Sequence, residues 1–241
     1  MRLGAPGAAV GRVSAQQVYD ALHAEIVQCV LRPGDSLTES RVAERFGLSR
    51  TPVREVFWRL GEDGFLRVVP QVGTYVAPIN VPAVYDSQFI RETLECRTVA
   101  DAARAPSSAD GLALERMLVE QRVALGGRDF AAFFALDEAM HRALMQMAGR
   151  PCAWQVIAGA KAQLDRVRFL SLEDADWPGM IMDQHETIVA RVLARDRAGA
   201  ARMMRRHLRT AFTAIGRIAR QQPAYFEGLG THVDEAQQEQ G

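Results

Sequence analysis

From Pro82 to about Gln222 the apolar residues recur every three or four positions, and no stretch alternates with the two-residue period of a strand. Breaks come only where helix-stopping residues cluster, in RAPSSADG, LGGRD, AGRP, LEDADWPG and ARDRAG. The spacing predicts about six helices and no strands here. The larger part of the chain can therefore fold only as a helical bundle whose apolar stripes face one another. Apolar residues make up 48% of the 241, enough for a sizeable core in one large or two small domains.

The N-terminal part reads differently. Ser14 and Gln17 match a capping box opening a helix to about Leu31, with Val18, Leu22, Ile26 and Val30 as its stripe. RPGDSL stops it, Thr38 caps a short second helix through about Phe46, and Gly47 ends that one. A third helix is expected from about Thr51 to Asp63, with Val53, Phe57 and Leu60 inside. FLRVV and TYVAP, joined by PQVG, read as a hairpin. Three helices and a hairpin make a winged helix-turn-helix, whose third helix enters the DNA major groove. The expected fold class is thus mostly α: a loose arm (residues 1–13), a winged helix-turn-helix (14–77), the PINVP linker (78–82), an all-α domain (83–222) and a polar tail (223–241).

The stretch GLSRTPVREV suits the start of a recognition helix. Ser49 can cap it, and Pro52 falls in the first turn, where a missing N–H costs nothing and φ is already helical. Arg50 and Arg54 lie one turn apart and can fork onto guanine or phosphate. Ser49 and Thr51 can donate to phosphates at the helix N-terminus. The bland alternative is a solvated helix whose arginines pair with Glu55 and Glu62.

Net charge is zero, 29 basic against 29 acidic residues, so DNA binding must rest on a local patch. Lys161 is the only lysine, a bias that reflects codon usage first and a preference for forked donors second. Cys29, Cys96 and Cys152 are scattered, odd in number and free of any CxxC pair. They fit buried thiols in a reducing cytoplasm. No apolar run reaches the roughly 18 residues of a membrane span.

Four polar residues occupy inward positions of the helical region. Phe130, Phe133, Phe134, Asp137, His141 and Leu144 share one stripe. His185 falls among Ile181, Ile188 and Val192, and His207 among Met203, Ala211 and Ala214. Asp137 and His141, at i and i+4, share a face. Burying a lone carboxylate is expensive, and a shared Zn²⁺, Ni²⁺ or Mn²⁺ would satisfy all four groups. Each histidine could instead be a hydrogen-bonded core residue. Spacing alone does not bring three helices to one point.

The run LTESRVAERFGLSRTPVREVFWRLGEDGFLRVVPQVGTYV closely resembles the N-terminal domain of GntR-type bacterial transcription regulators. The resemblance implies that Arg50 and Arg54 contact DNA and that Gly73 is the wing-tip glycine that enters the minor groove. Where the family carries a basic or polar residue early in the second helix, this chain has Ser40, with Arg41 beside it as the candidate contact. The D-x₃-H pair followed by two helix-borne histidines, with IRETLECRTVADAAR at 90–104, resembles the FCD ligand-binding domain of the FadR subfamily. That resemblance implies Asp137, His141, His185 and His207 as ligands of a divalent metal with open positions. It also implies a small organic acid as effector, with Arg91 as its carboxylate clamp. A homodimer on a near-palindromic operator, repressing until the acid releases it, is the implied mode of action.

The rival reading is a metal-dependent hydrolase. HETIV at 185–189 nearly matches HExxH, but Val189 stands where the second histidine belongs. Glu186 lies about 100° around the helix from His185, so no general base is evident, and the expectation is a regulator and not an enzyme. A purely structural metal is the other alternative. DADWPG (174–179) reads either as a loop over the pocket or as a surface turn, with the turn favoured.

Overall fold

The computed structural model describes residues 13–229. These divide into two compact units. One comprises the described residues through Ile26 together with Gly34–Ala77; the other comprises Val27–Pro33 and the described residues from Pro78 onward.

The first unit is a three-helix head with a small sheet. Helix α1 (Ala15–Val27) opens on the expected capping box: Gln17 N–H donates to Ser14 Oγ (3.2 Å), and Ser14 N–H to Gln17 Oε1 (2.8 Å). Val18, Leu22 and Ile26 are fully buried, but Val30 is exposed. The helix stops at Val27 because Cys29 takes a left-handed conformation (φ 54°), which breaks the i→i−4 ladder. Cys29 lies instead in the core of the second unit, with Ile79, Val81 and Leu164. After β1 (Ser36–Leu37), Thr38 caps α2 (Glu39–Phe46) by accepting from Arg41 N–H (3.3 Å), and Gly47 closes it at φ 65°. Helix α3 (Arg50–Glu62) buries Val53, Val56, Phe57 and Leu60. The hairpin β2 (Leu66–Val69) and β3 (Gly73–Val76) is joined on its other edge by β1, giving the order β1-β3-β2, all antiparallel. The third strand was not expected, because two residues are too few to show a period.

The second unit is helical but is framed by two short strands. The segment expected as the linker forms β4 (Ile79–Asn80), paired in parallel with β5 (Phe226–Glu227). The two prolines that signalled a linker are compatible with structure here. Pro82 sits in the first turn of α4 (Val81–Ala102), where no N–H is needed, and Asn80 caps that helix by accepting from Ala83 N–H (2.9 Å). The expected polar tail likewise begins as structure: a 3₁₀ turn at Pro223–Tyr225 and β5, whose Phe226 is buried in the core. The rest of the tail, and the N-terminal arm but for its last residue, lie outside the described residues.

Seven helices, not six, fill this unit: α4, α5 (Ser108–Gly126), α6 (Phe130–Met147), α7 (Ala153–Ala160), α8 (Ala162–Ser171), α9 (Trp177–Leu193) and α10 (Arg197–Gln221). The extra break is at Lys161, with the isolated Gly159 as its only local signal. Helices α4, α6, α9 and α10 pack about one another, and α5 lies on α6 and α9. DADWPG is a surface turn only in its first half: Ala175 and Asp176 are exposed, whereas Trp177 is buried and opens α9. Cys29 and Cys96 are buried, and burial pushes both thiols up to about 11; Cys152, expected buried, is exposed. No helix among the described residues is long and apolar enough to cross a membrane.

Candidate functional site

In the head, the residues singled out for DNA lie on exposed surface: Arg41 on α2, Ser49, Arg50, Thr51 and Arg54 at the start of α3, and Gly73 at the start of β3. Ser49 occupies the cap position, but its hydroxyl makes no capping bond. It stays available to a phosphate. Gly73 (φ 154°) stands just past the turn; Gln71, at φ 62°, takes the left-handed tip position. The arginines do not pair with Glu55 or Glu62. Arg54 reaches Glu39 through Nε (3.3 Å) and Nη2 (3.4 Å), and Arg50 Nη2 lies 3.7 Å from the same carboxylate.

In the helical unit, Asp137 and His141 on α6, His185 on α9 and His207 on α10 meet. Each offers one ligand atom within 4.8 Å of the others, and all four side chains are buried. His207 Nε2 is 3.2 Å from His141 Nε2; His185 Nε2 is 3.1 Å from Asp137 Oδ1; His141 Nε2 is 4.0 Å from Asp137 Oδ2.

The outer nitrogens explain the inner ones. His141 Nδ1 faces Glu95 of α4, His185 Nδ1 faces Gln121 Oε1 of α5 (2.6 Å), and His207 Nδ1 faces Gln184 Oε1 of α9 (2.9 Å). Gln184 in turn donates from Nε2 to Thr210 Oγ1 (3.1 Å). Three acceptors on Nδ1 place the proton there and leave each Nε2 lone pair aimed at the centre. Two such lone pairs 3.2 Å apart, with the His185 Nε2 lone pair turned toward the Asp137 carboxylate, suit a shared cation. Three imidazoles and a carboxylate suit Zn²⁺, Ni²⁺ or Mn²⁺, so the residues fit a divalent ion.

The local charges agree. Burial lowers the His185 pKa, against the pull of Asp137, and burial with the neighbouring imidazoles puts His207 well below the usual range. Burial would raise Asp137, but Arg168 and the adjoining histidines outweigh it and hold the carboxyl well below its ordinary value. Glu95 sits at about 2, because Arg91 and His141 outweigh its burial.

Beside the four ligand atoms is a cavity lined by Arg91, Asp137, Arg168 and His207 among Phe133, Phe134, Leu172, Trp177, Ile181 and Ala211. Arg91, the expected clamp, donates from Nε to Glu95 Oε1 (2.6 Å), while its buried Nη2 has no partner. Arg168 was missed. It contacts Asp137, Glu138 (2.7 Å) and Asp165 (2.9 Å). Lys161 also pairs with Glu138 (2.6 Å) and with Asp165. Gln121 and Gln184 were missed too. The only signal for Gln121 was a polar residue on the inward stripe of α5, with Leu114 and Ala124. Glu186, the residue of the hydrolase reading, pairs with Arg122 at the surface and is not aimed at the centre.

Comparison with known proteins agrees with both halves. Residues 14–76 match bacterial regulatory proteins of the gntR family, and residues 86–210 match the FCD domain. The HTH-type transcriptional repressor RspR of Escherichia coli (strain K12) is 36% identical over 211 residues, covering 88% of this chain and 92% of that protein. A regulator from an unstable DNA locus of Streptomyces ambofaciens is 35% identical over 217 residues, covering 90% and 91%. Among solved structures, E. coli McbR/YncC superposes with a TM-score of 0.68 at 22% identity, covering 86% of this chain and 99% of that one. A regulator from Rhodococcus sp. RHA1 gives 0.69 at 18%, covering 84% and 97%. At such identities these structures speak for the fold alone.

Proposed function

The chain belongs to the gntR family of bacterial regulatory proteins and carries an FCD domain, and from that premise we propose that a small organic acid, bound beside a metal ion in the helical unit, controls its grip on operator DNA. The observation that carries this reading is the convergence of three Nε2 atoms and one carboxylate, each Nδ1 held by its own acceptor. A divalent ion held by Asp137, His141, His185 and His207 supplies a Lewis-acidic contact for a carboxylate or hydroxyl oxygen. Arg91 supplies the charge partner: it lines the same cavity, and its buried, unpartnered Nη2 can donate to the acid. Arg168 keeps Asp137 ionised and oriented. The apolar walls exclude water and favour a compact acid.

DNA recognition falls to α3 and the wing. Arg50 and Arg54 address base edges, Ser49, Thr51 and Arg41 address phosphates, and Gly73 lets the wing backbone approach the minor groove. A homodimer in the cytoplasm presents two heads to two half-sites of a near-palindromic operator. The acid favours one arrangement of the heads, and DNA affinity changes by its differential affinity for the two arrangements. Repression relieved by the acid is the mode proposed.

The test is a thermal-shift screen of small carboxylates on protein with and without prior chelation. A carboxylate that raises Tm only in the metal-loaded protein is the expected result. Shifts that survive complete metal removal would take the ion out of effector binding. A panel with no shift at all would leave the ion a structural role.

A further inference from the structure

We propose that Glu39 is a positioning residue for operator recognition: its carboxylate holds Arg50 and Arg54 as an ordered pair and opposes their use on phosphates, so that it sets sequence selectivity more than overall DNA affinity. The inference rests on the assignment of those two arginines to DNA.

Glu39 is the first residue of α2, directly after the Thr38 cap, so its backbone is fixed. An acidic residue at that position complements the helix dipole, which explains a carboxylate there but not its choice of partners. Both guanidinium groups turn back to it from α3, and both are largely exposed (side chains 65% and 72%), whereas Glu39 is mostly covered (24%). The carboxylate is the anchored member, and the arginines are the ones held.

The geometry of Arg54 shows what such holding allows. Its Nε and Nη2 face the two carboxylate oxygens, which leaves both Nη1 hydrogens and one on Nη2 free. That free edge is the one that can bridge O6 and N7 of guanine. A long side chain fixed beforehand loses less freedom on binding. On unrelated sequence the arginines would turn to phosphates instead. Doing so breaks the pairs with Glu39 and leaves a carboxylate among phosphates, an uncompensated like-charge contact. An exposed ion pair is weak, so it does not block the operator complex; it biases the choice between registers.

The experiment uses the full-length protein and two probes: the duplex that wild type enriches from a random-sequence library, and a shuffled duplex of the same composition. Glu39→Gln keeps shape and removes charge. Its affinity for the shuffled duplex is expected to rise about two- to threefold, with a salt slope steeper by about one. The ratio of operator to shuffled affinity is expected to fall about tenfold. In an Arg50→Ala/Arg54→Ala background the same change should leave the ratio within about twofold. An unchanged ratio in Glu39→Gln would overturn the proposal. So would an equal fall in the arginine-free background, since Glu39 would then act through the helix and not through the arginines. Arg54→Ala made alone separates the two levels: full operator affinity in that variant would remove the assignment beneath the inference, whereas its loss with an inert Glu39→Gln would remove the inference only.

Discussion

A neutral imidazole has one lone pair, and the partner of one ring nitrogen decides where the other points it. His141, His185 and His207 each give Nδ1 to a separate acceptor, so metal affinity should depend on residues that never touch the metal. Gln121→Ala or Gln184→Ala should weaken metal binding by about 10–100-fold, whereas His141→Ala should abolish stoichiometric loading; metal content after dialysis against graded chelator measures both. Full loading in His141→Ala would dismiss the ligand set. Acid should destabilise the metal-free form, with a definite sign. His185 and His207 have lowered pKa values when folded, so below about pH 6.5 the unfolded chain takes up protons that the folded chain refuses. The unfolded state then binds more protons, and stability falls with pH. Glu95, at about 2 against an ordinary 4.5, adds a loss in the same direction as pH falls through that range. Thermal melts of chelated protein should therefore drop steadily from pH 7 to pH 5; a flat profile would mean that His185 and His207 are not held neutral. The buried Asp/His cluster was legible because polar residues on an apolar stripe are anomalies. Arg168 was not, because its side chain reaches Asp137 and Glu138 of α6 from α8, a tertiary contact that no spacing reports.

At the scale of elements, the helices were readable from period and caps, and the failures lie where tertiary pairing overrode local signals. PINVP lacks a helix signal and does contain prolines, yet Ile79 is fully buried and pairs with Phe226 across a two-residue parallel ladder. A pairing between residues so distant in sequence leaves no local trace. The break of α1 after Val27 is of the same kind. Val30 fits the stripe, but the chain turns at Cys29, whose thiol is drawn into the core of the helical unit and approaches the carbonyl oxygen of Arg166 (3.6 Å). If β5 closes that core, Phe226→Ala should cost about 3–5 kcal/mol, read as a lower urea midpoint for the helical unit. A loss under about 0.5 kcal/mol, the size of an ordinary surface change, would return residues 223–229 to the status of a tail.

For the whole molecule, the quantity that decides the proposed function is the coupling between two ligands, acid and DNA. If the acid weakens operator binding by some factor, saturating operator must weaken acid binding by the same factor, because both are legs of one thermodynamic cycle. A factor of 5–150, about 1–3 kcal/mol, is usual for such coupling. Acid affinity should therefore be measured twice by calorimetry, on free protein and on protein saturated with operator. The free protein is expected to bind the acid more tightly, in the direction that makes the acid a releaser. Tighter binding on the operator complex would make it a co-repressor, with the same site and the opposite sign. Equal affinity in both states would mean that the acid shifts no equilibrium between head arrangements however well it fits the cavity, and the metal centre would then stabilise the bundle without informing the DNA.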